Sequence, residues 1–218
     1  NAALLSARGV LSIGPADGAQ ACGDVGPGRM SEPSDIFDAI TEHFKAPAAS
    51  QDLAGQHWVI TAGPTMEAID PVRFISNHSS GKMGYALASA AVAAGAQVEL
   101  VSGPVSLSPP AKAILSPVTS ASQMLAAVKE SIDSVDIFIG CAAVADYAPI
   151  AIAEQKIKKN DTEMSLKLKQ NPDILAWVGG LANKPYVVGF AAESESLKAN
   201  AKSKLEKKCL DMICANDI

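Results

Sequence analysis

Residues 57–102 decide the fold. They run from His57-Trp58-Val59-Ile60-Thr61-Ala62, through a polar loop from Gly63-Pro64 to about Ser80, into Lys82 to Ala94 closed by Gly95. They end in Gln97-Val98-Glu99-Leu100-Val101-Ser102. The outer pieces are short apolar runs with β-branched residues, which read as strands. The middle piece is rich in alanine, the best helix former, and stops at a glycine. Strand, helix, strand in that order is a βαβ unit, and its crossover calls for parallel pairing.

The alternation continues downstream. Ala113-Ile114-Leu115 reads as a strand, Ser122 as the cap of a helix to about Ser131, and Val135-Asp136-Ile137-Phe138-Ile139-Gly140 as a buried strand. Met164 to Leu168 alternates like a strand with one wet face. Asp173 to Leu181 reads as a short helix, and Tyr186-Val187-Val188-Gly189-Phe190 as a strand. A lysine-rich helix over about Leu197–Lys208 and a strand at Asp211-Met212-Ile213-Cys214-Ala215 follow. The expected fold class is α/β: a Rossmann-like, doubly wound, mostly parallel sheet with helices on both faces. Ligands of such sheets bind beyond the carboxyl ends of the strands, here just after Ala62, Gly140, Gly189 and Ala215.

Residues 1–45 read differently. Gly and Pro are dense from Gly14 to Pro33, without helical or strand period. A short helix then has Ser34 as its expected cap and Ile36, Phe37, Ile40 and Phe44 as its apolar stripe. Residues 46–56 read as a linker, and residues 57–218 as the main domain.

Composition narrows the function. Of 218 residues, 48% are hydrophobic, 38 are alanine and only 5% are aromatic, which suits helices packed close on a sheet. The net charge of −5 argues against a general nucleic-acid binder. The bases are nevertheless uneven. Residues 1–149 hold 7 Lys and Arg against 14 Asp and Glu, and residues 150–218 hold 11 against 9. A solvated surface or a local anion site could each produce that skew. No apolar run reaches the roughly 18 residues of a membrane span, and no signal peptide is read at the N-terminus. The four cysteines form neither a CxxC pair nor a disulfide framework, so a reducing, cytoplasmic setting is expected.

Several residues carry possible chemistry. Gly81-Lys82 before a helix invites a P-loop reading, but Ser76 stands where its first Gly belongs and Met83 follows the lysine. No GxGxxG follows the first strand. Ser79, Ser80 and Gly81 could still seat an anion at a helix N-terminus, or simply form a capped loop. Asp146, just beyond the strand ending at Gly140, could hold Mg²⁺ or a ribose hydroxyl, or cap a turn. Lys156-Ile157-Lys158-Lys159 is a cation cluster that matters only if it turns toward phosphates. In the helix near 197–208, Leu197, Ala201 and Leu205 share a stripe. Lys208 and Lys204 project about 20° and 60° from Ala201, and Lys202 and Lys207 point away. Two like charges four apart on an inward face suggest an anion between them, with snorkelling as the alternative.

The sequence resembles a known family through seven stretches. These are Ile60-Thr61-Ala62-Gly63-Pro64-Thr65; Asp70-Pro71-Val72-Arg73 with Ile75 to Gly84; Gly140-Cys141-Ala142-Ala143-Val144-Ala145-Asp146-Tyr147; Lys156 to Lys159; Asn171-Pro172-Asp173-Ile174; Val188 to Glu193; and Ala215-Asn216-Asp217. They are similar to phosphopantothenate–cysteine ligases, and more narrowly to bacterial bifunctional enzymes of coenzyme A biosynthesis. Those join the ligase to a flavin-dependent phosphopantothenoylcysteine decarboxylase. Residues 57–218 resemble a C-terminally incomplete ligase half. Residues 1–45 resemble the end of the decarboxylase half, through Ala21-Cys22-Gly23-Asp24 and Gly26-Pro27-Gly28-Arg29-Met30.

The resemblance implies CTP-dependent ligation of 4′-phosphopantothenate to cysteine through an acyl-cytidylate. It implies that Gly140, Cys141 and Ala142 line the nucleotide pocket and that Asp146 binds the nucleotide or its Mg²⁺. Lys156 would contact the triphosphate, with Lys204 and Lys208 completing the clamp. Asn171, Pro172, Asp173, Ile174 and Phe190 would form the cytidine site, and Asn77 would hold the acyl-cytidylate. Cys22 matches the decarboxylase proton donor, but residues 1–45 alone are not expected to bind FMN. The implied partners are small molecules, with neither nucleic acid nor membrane, and the implied assembly is a homo-oligomer built on a ligase dimer. A nicotinamide-dependent reductase and a non-catalytic assembly module stay open as rival readings.

Overall fold

A computed structural model describes residues 2–20, 23–44, 51–159, 163–193 and 195–217. The chain divides into two compact units, Asn1–Ala49 and Ser50–Ile218. The first contains α1 (Ala2–Ala7), an antiparallel hairpin of β1 (Ala16–Ala19) and β2 (Val25–Arg29), and α2 (Pro33–Phe44). The hairpin lies in the stretch that shows no strand period, because glycines occupy positions where alternating side chains would reveal one. α2 starts at Pro33, which suits a first helical turn, and not after Ser34. Its stripe residues Phe37, Ile40 and Phe44 are exposed. Cys22 lies outside the described residues.

The second unit contains β3 (His57–Ala62), β4 (Met66–Ala68), β5 (Phe74–Ser76), α3 (Lys82–Ala93), β6 (Gln97–Ser102), β7 (Ile114–Pro117) and α4 (Ala121–Ser131). It continues with β8 (Ile137–Gly140), β9 (Tyr147–Pro149), β10 (Leu168–Gln170), α5 (Ile174–Gly179), β11 (Tyr186–Glu193), α6 (Leu197–Lys207) and β12 (Met212–Asp217). Six strands form one parallel sheet in the order β12-β11-β8-β3-β6-β7. Numbered by their appearance in the chain, that is the doubly wound order 3-2-1-4-5-6, with its reversal point between β3 and β8. The expected Rossmann-like α/β fold is present.

Both faces of the sheet are covered. On one, Tyr85, Ala88 and Ala91 of α3 pack with Ile60, Val98, Leu100 and Ile139. On the other, Met124 and Val128 of α4 and Ile174 and Val178 of α5 pack with Val59, Val101, Phe138 and Val187. α3 lies close because Gly84 carries no side chain. A Cβ there would come within 2.6 Å of the Ala62 Cβ.

Some boundaries differ from the sequence reading. The loop over 63–80 holds the β4–β5 hairpin, whose three-residue strands are too short to show a period. Ser120, not Ser122, caps α4: its Oγ accepts from Gln123 N at 3.2 Å, and Gln123 Oε1 accepts from Ser120 N at 3.1 Å. That reciprocal capping box satisfies two otherwise orphaned amides. The strand expected at Met164–Leu168 forms instead at Leu168–Gln170, where β9 offers an antiparallel partner. Residues 51–56, expected within the linker, form turns bound to the second unit. Leu53 N donates to Ala94 O at 3.0 Å, and Gln97 N to Gln56 O at 2.9 Å. Among the described residues, no helix is long and apolar enough to cross a membrane.

Candidate functional site

Where the sheet order reverses, β3 and β8 run on past their last sheet residues together. Ala143 N donates to Gly63 O at 2.9 Å, and Thr65 N to Ala143 O at 3.2 Å. Two buried threonines support the chain after β8. Thr61 Oγ1 accepts from Ala142 N at 3.3 Å, and Thr65 Oγ1 from Ala145 N at 2.9 Å. These bonds satisfy amides that the end of the ladder would leave unpaired.

Beside this rigid loop opens a cleft of about 780 Å³ including its mouth. Gly140, Ala142, Val144, Ala145 and Asp146 form one wall. Gln170, Asn171, Pro172, Asp173, Ile174 and Leu175 form a second, and Phe190, Lys204 and Lys208 a third. The first two walls are joined. Asn171 N donates to Asp146 O, and Asn171 Nδ2 to Ala145 O, both at 2.8 Å. Gly140 leaves room for Leu175, whose side chain lies 2.7 Å from where a Cβ would stand.

The lysines divide as their helical angles indicate. Lys204 and Lys208 are half-buried and line the cleft, whereas Lys202 and Lys207 are exposed. Lys204 Nζ donates to Phe190 O at 2.8 Å, and Lys208 Nζ pairs with Asp173 Oδ2 at 2.7 Å. Asp173 also caps α5, its Oδ1 accepting from Ala176 N at 3.0 Å. Partial burial works to raise the Asp173 pKa. The Lys208 hydrogen bond, the Ala176 amide and the nearby lysine charges outweigh it, so the carboxyl sits below its ordinary value.

The cleft thus gathers Gly140, Ala142, Asp146, Asn171, Pro172, Asp173, Ile174, Phe190, Lys204 and Lys208. It does not gather Cys141, Asn77 or Lys156. Cys141 lines a neighbouring hollow with His78 to Gly84, because its side chain packs on the α3 face of the sheet. Burial, with Cys214 nearby, pushes its thiol up to about 11. Asn77 lines a separate hollow with Pro64, Met66 and Phe74 and donates through Nδ2 to the carbonyls of Ala143 (3.3 Å) and Val144 (3.1 Å). Lys156 is exposed and outside the lining, beside an Ile157 backbone held by Asp70 and Arg73. Lys158 and Lys159 are exposed, as a solvated cluster would be. Sequence reasoning did not single out Thr61, Thr65, Gln170 or Leu175 as site residues. The amides that the two threonines support lie about 80 residues downstream, so no local pattern marks them.

Asp146 and Asp173 are the acidic residues of the lining, and Asp173 already has a cation partner. Among the described residues, no three or more His, Cys, Asp or Glu gather as a metal cage. This donor set fits a hard cation bound by one carboxylate and carried mainly by the phosphates of a ligand, which is the habit of Mg²⁺.

Residues 53–218 match the family model described as "DNA/pantothenate metabolism flavoprotein C-terminal domain". The chain is 55% identical over 219 residues to the coenzyme A biosynthesis bifunctional protein CoaBC of Haemophilus influenzae. That alignment covers 100% of this chain and 54% of the relative. The Escherichia coli K12 and Bacillus subtilis 168 proteins of the same name are 51% and 49% identical over the same shares. The chain therefore spans about half the length of the curated relatives it matches. Among solved structures, the C-terminal domain of a CoaBC protein aligns with a TM-score of 0.68 at 44% identity, over 75% of this chain and 78% of that one. A DNA/pantothenate metabolism flavoprotein from Streptococcus pneumoniae aligns with 0.65 at 27% identity, over 75% and 82%.

Proposed function

The chain belongs to the family of the DNA/pantothenate metabolism flavoprotein C-terminal domain, and from that premise we propose that residues 53–218 act in coenzyme A biosynthesis as a CTP-dependent phosphopantothenate–cysteine ligase. The observation that carries this reading is the cleft at the β3–β8 reversal, where two half-buried lysines face an apolar slot beside Asp146. A nucleoside triphosphate needs those three things: cations for its phosphates, flat walls for its base and a carboxylate for its metal.

In the proposed reaction, the carboxylate oxygen of 4′-phosphopantothenate forms a bond to the α-phosphorus of CTP. The bond from that phosphorus to the bridging oxygen breaks, and pyrophosphate leaves. The cysteine amine then attacks the acyl carbon, loses a proton, and expels CMP. Lys204 and Lys208 neutralise charge that would otherwise keep two anions apart, a task of positioning and electrostatics. Lys208 exchanges Asp173 for phosphate as the nucleotide enters. Phe190, Pro172 and Ile174 hold the base, Asn171 and the 140–146 loop shape its site, and Lys156 adds a contact to the triphosphate. Bound Mg²⁺ would supply further charge neutralisation, with Asp146 as its protein ligand. Asn77 holds the acyl-cytidylate for the second step.

In the longer protein proposed here, an FMN-dependent decarboxylase half would act on the product, with Cys22 as its proton donor. The ligase would work as a dimer in the cytoplasm. The decisive experiment measures CTP cleavage to CMP and pyrophosphate with each substrate omitted in turn. Turnover that needs both phosphopantothenate and cysteine, with thermal stabilisation by CTP–Mg²⁺ above other nucleotides, is the expected result. Equal activity with ATP would sink the CTP assignment.

A further inference from the structure

Asp70 and Arg73 lie outside the cleft, yet they hold the segment that carries Lys156. Asp70 sits in the turn between β4 and β5 and is only 3% exposed. Its Oδ1 accepts from Val72 N and Arg73 N, both at 2.9 Å. Its Oδ2 accepts from Arg73 Nε at 3.0 Å and from Ile157 N at 3.1 Å. The Arg73 guanidinium makes a second link to the same carboxylate and also donates to Ile157 O at 2.9 Å. Both backbone groups of Ile157 are thereby captured. Four residues earlier, Ala153 N donates to Ile69 O at 3.0 Å. The segment 153–157 is pinned at both ends to one turn, and Lys156 adjoins the second pin.

This is more than the turn itself requires. The Val72 and Arg73 amides suffice to close an Asx-type turn, and an asparagine could accept them. Only a carboxylate has a second oxygen free to accept from both Arg73 and Ile157. The same hairpin reaches the site at its other end. Ser76 Oγ donates to Thr65 O at 2.7 Å, and the next residue, Asn77, is tethered to Ala143 and Val144. One small hairpin thus carries Asn77 at its base and grips the Lys156 segment at its tip.

We infer that Asp70, paired with Arg73, is a positioning residue that fixes the backbone from which Lys156 meets the phosphates of the nucleotide. The inference rests on the proposed role of Lys156 as a triphosphate contact. Lys156 is exposed, so an unpinned segment would have to be ordered at the moment of binding. The pin removes part of that entropic cost in advance.

The test is a double-mutant cycle in the full chain, read by calorimetric titration with CTP–Mg²⁺. Asp70→Asn is expected to weaken binding about tenfold when Lys156 is present and less than about twofold in Lys156→Gln, because neighbours acting through one contact are not additive. Equal losses in both backgrounds would make Asp70 merely structural and overturn the inference. Hydrogen exchange without ligand supplies the independent arm. Asp70→Asn should speed exchange across 153–157 and leave β3 unchanged, and unaltered exchange at 153–157 would refute the pin. Wild-type protein that binds no CTP would overturn the nucleotide reading and the role of Lys156, while the exchange data decide the pin separately. If Asp70→Asn fails to fold, Arg73→Lys keeps the charge but loses the Nε link to Asp70 and the fixed fork of the guanidinium, and should give the same pattern at smaller amplitude.

Discussion

The Lys208 ammonium lies 2.7 Å from the Asp173 carboxylate, so the cleft holds a cation together with its own counter-ion. An incoming phosphate must displace that carboxylate. Lys208→Gln is expected to let the Asp173 titration move up toward the ordinary value near about 3.9. It should also weaken CTP binding about tenfold, the size of one charge-assisted hydrogen bond. Carboxyl NMR titration and calorimetry would check the two halves. An unmoved Asp173 would show that the pairing contributes nothing in solution.

Asn77→Asp removes the amide that donates to the Ala143 and Val144 carbonyls and sets a charge against both oxygens. Ligation is expected to fall about 100-fold, the order of cost of misplacing a reacting group. CTP should still protect against thermal unfolding, and acyl-cytidylate should accumulate in rapid-quench samples. Normal turnover would remove Asn77 from the mechanism.

Gly84→Ala drives a methyl group into Ala62, at 2.6 Å from its Cβ and 3.2 Å from its Cα. The strand backbone cannot yield as a flexible side chain would. A loss of about 1–3 kcal/mol follows, or about 3–10 °C in Tm for a domain of this size. Calorimetry reads it directly, and an unchanged Tm would show that α3 lifts freely from the sheet.

Acid should act through carboxylates whose folded pKa lies below the unfolded one. The Arg73 hydrogen bond, opposed by burial and aided by three backbone amides, holds Asp70 well below the usual range. Asp173 is lowered as well. A lowered pKa stabilises the fold above the unfolded value near about 3.9, and that stability is lost as pH falls through the folded value. Asp70→Asn should therefore be less stable than wild type at pH 7, and the gap should narrow below pH of about 4. Urea unfolding at pH 7, 4 and 3 would test this, and a gap independent of pH would contradict it.

The Cys141 thiol, pushed up to about 11 mainly by burial, should resist iodoacetamide at pH 8 while the exposed Cys209 reacts. Peptide mapping by mass spectrometry distinguishes them. Equal labelling would mean that the hollow beside α3 opens readily.

The fold was legible because its βαβ units are long and strongly patterned: Val59 and Ile60, Ala88 and Ala91 of α3, and Val98 and Leu100 each fall on a buried face. The inward turn of Lys204 and Lys208 was legible for the same reason, since a helix converts sequence spacing into direction. What escaped was made by tertiary hydrogen bonds. Nothing local marks the threonines at 61 and 65 as props for amides 80 residues away. Nor does Lys156 reveal that its neighbour is gripped by a turn 87 residues earlier. Cys141 shows the converse limit. It stands inside a recognisable motif, yet the alternation of its strand sends it to the opposite face.

The sheet is two three-stranded halves, β7-β6-β3 and β12-β11-β8, and among the described strands only the β3–β8 pairing stitches them together. The cleft floor straddles that single seam, with Thr61 on one side and Gly140 on the other. A molecule seated there bridges both halves, so its binding free energy opposes their parting. Occupancy and cohesion are one equilibrium. Loosening of the seam would abolish the site and open both cores at once, because each core spans the two halves.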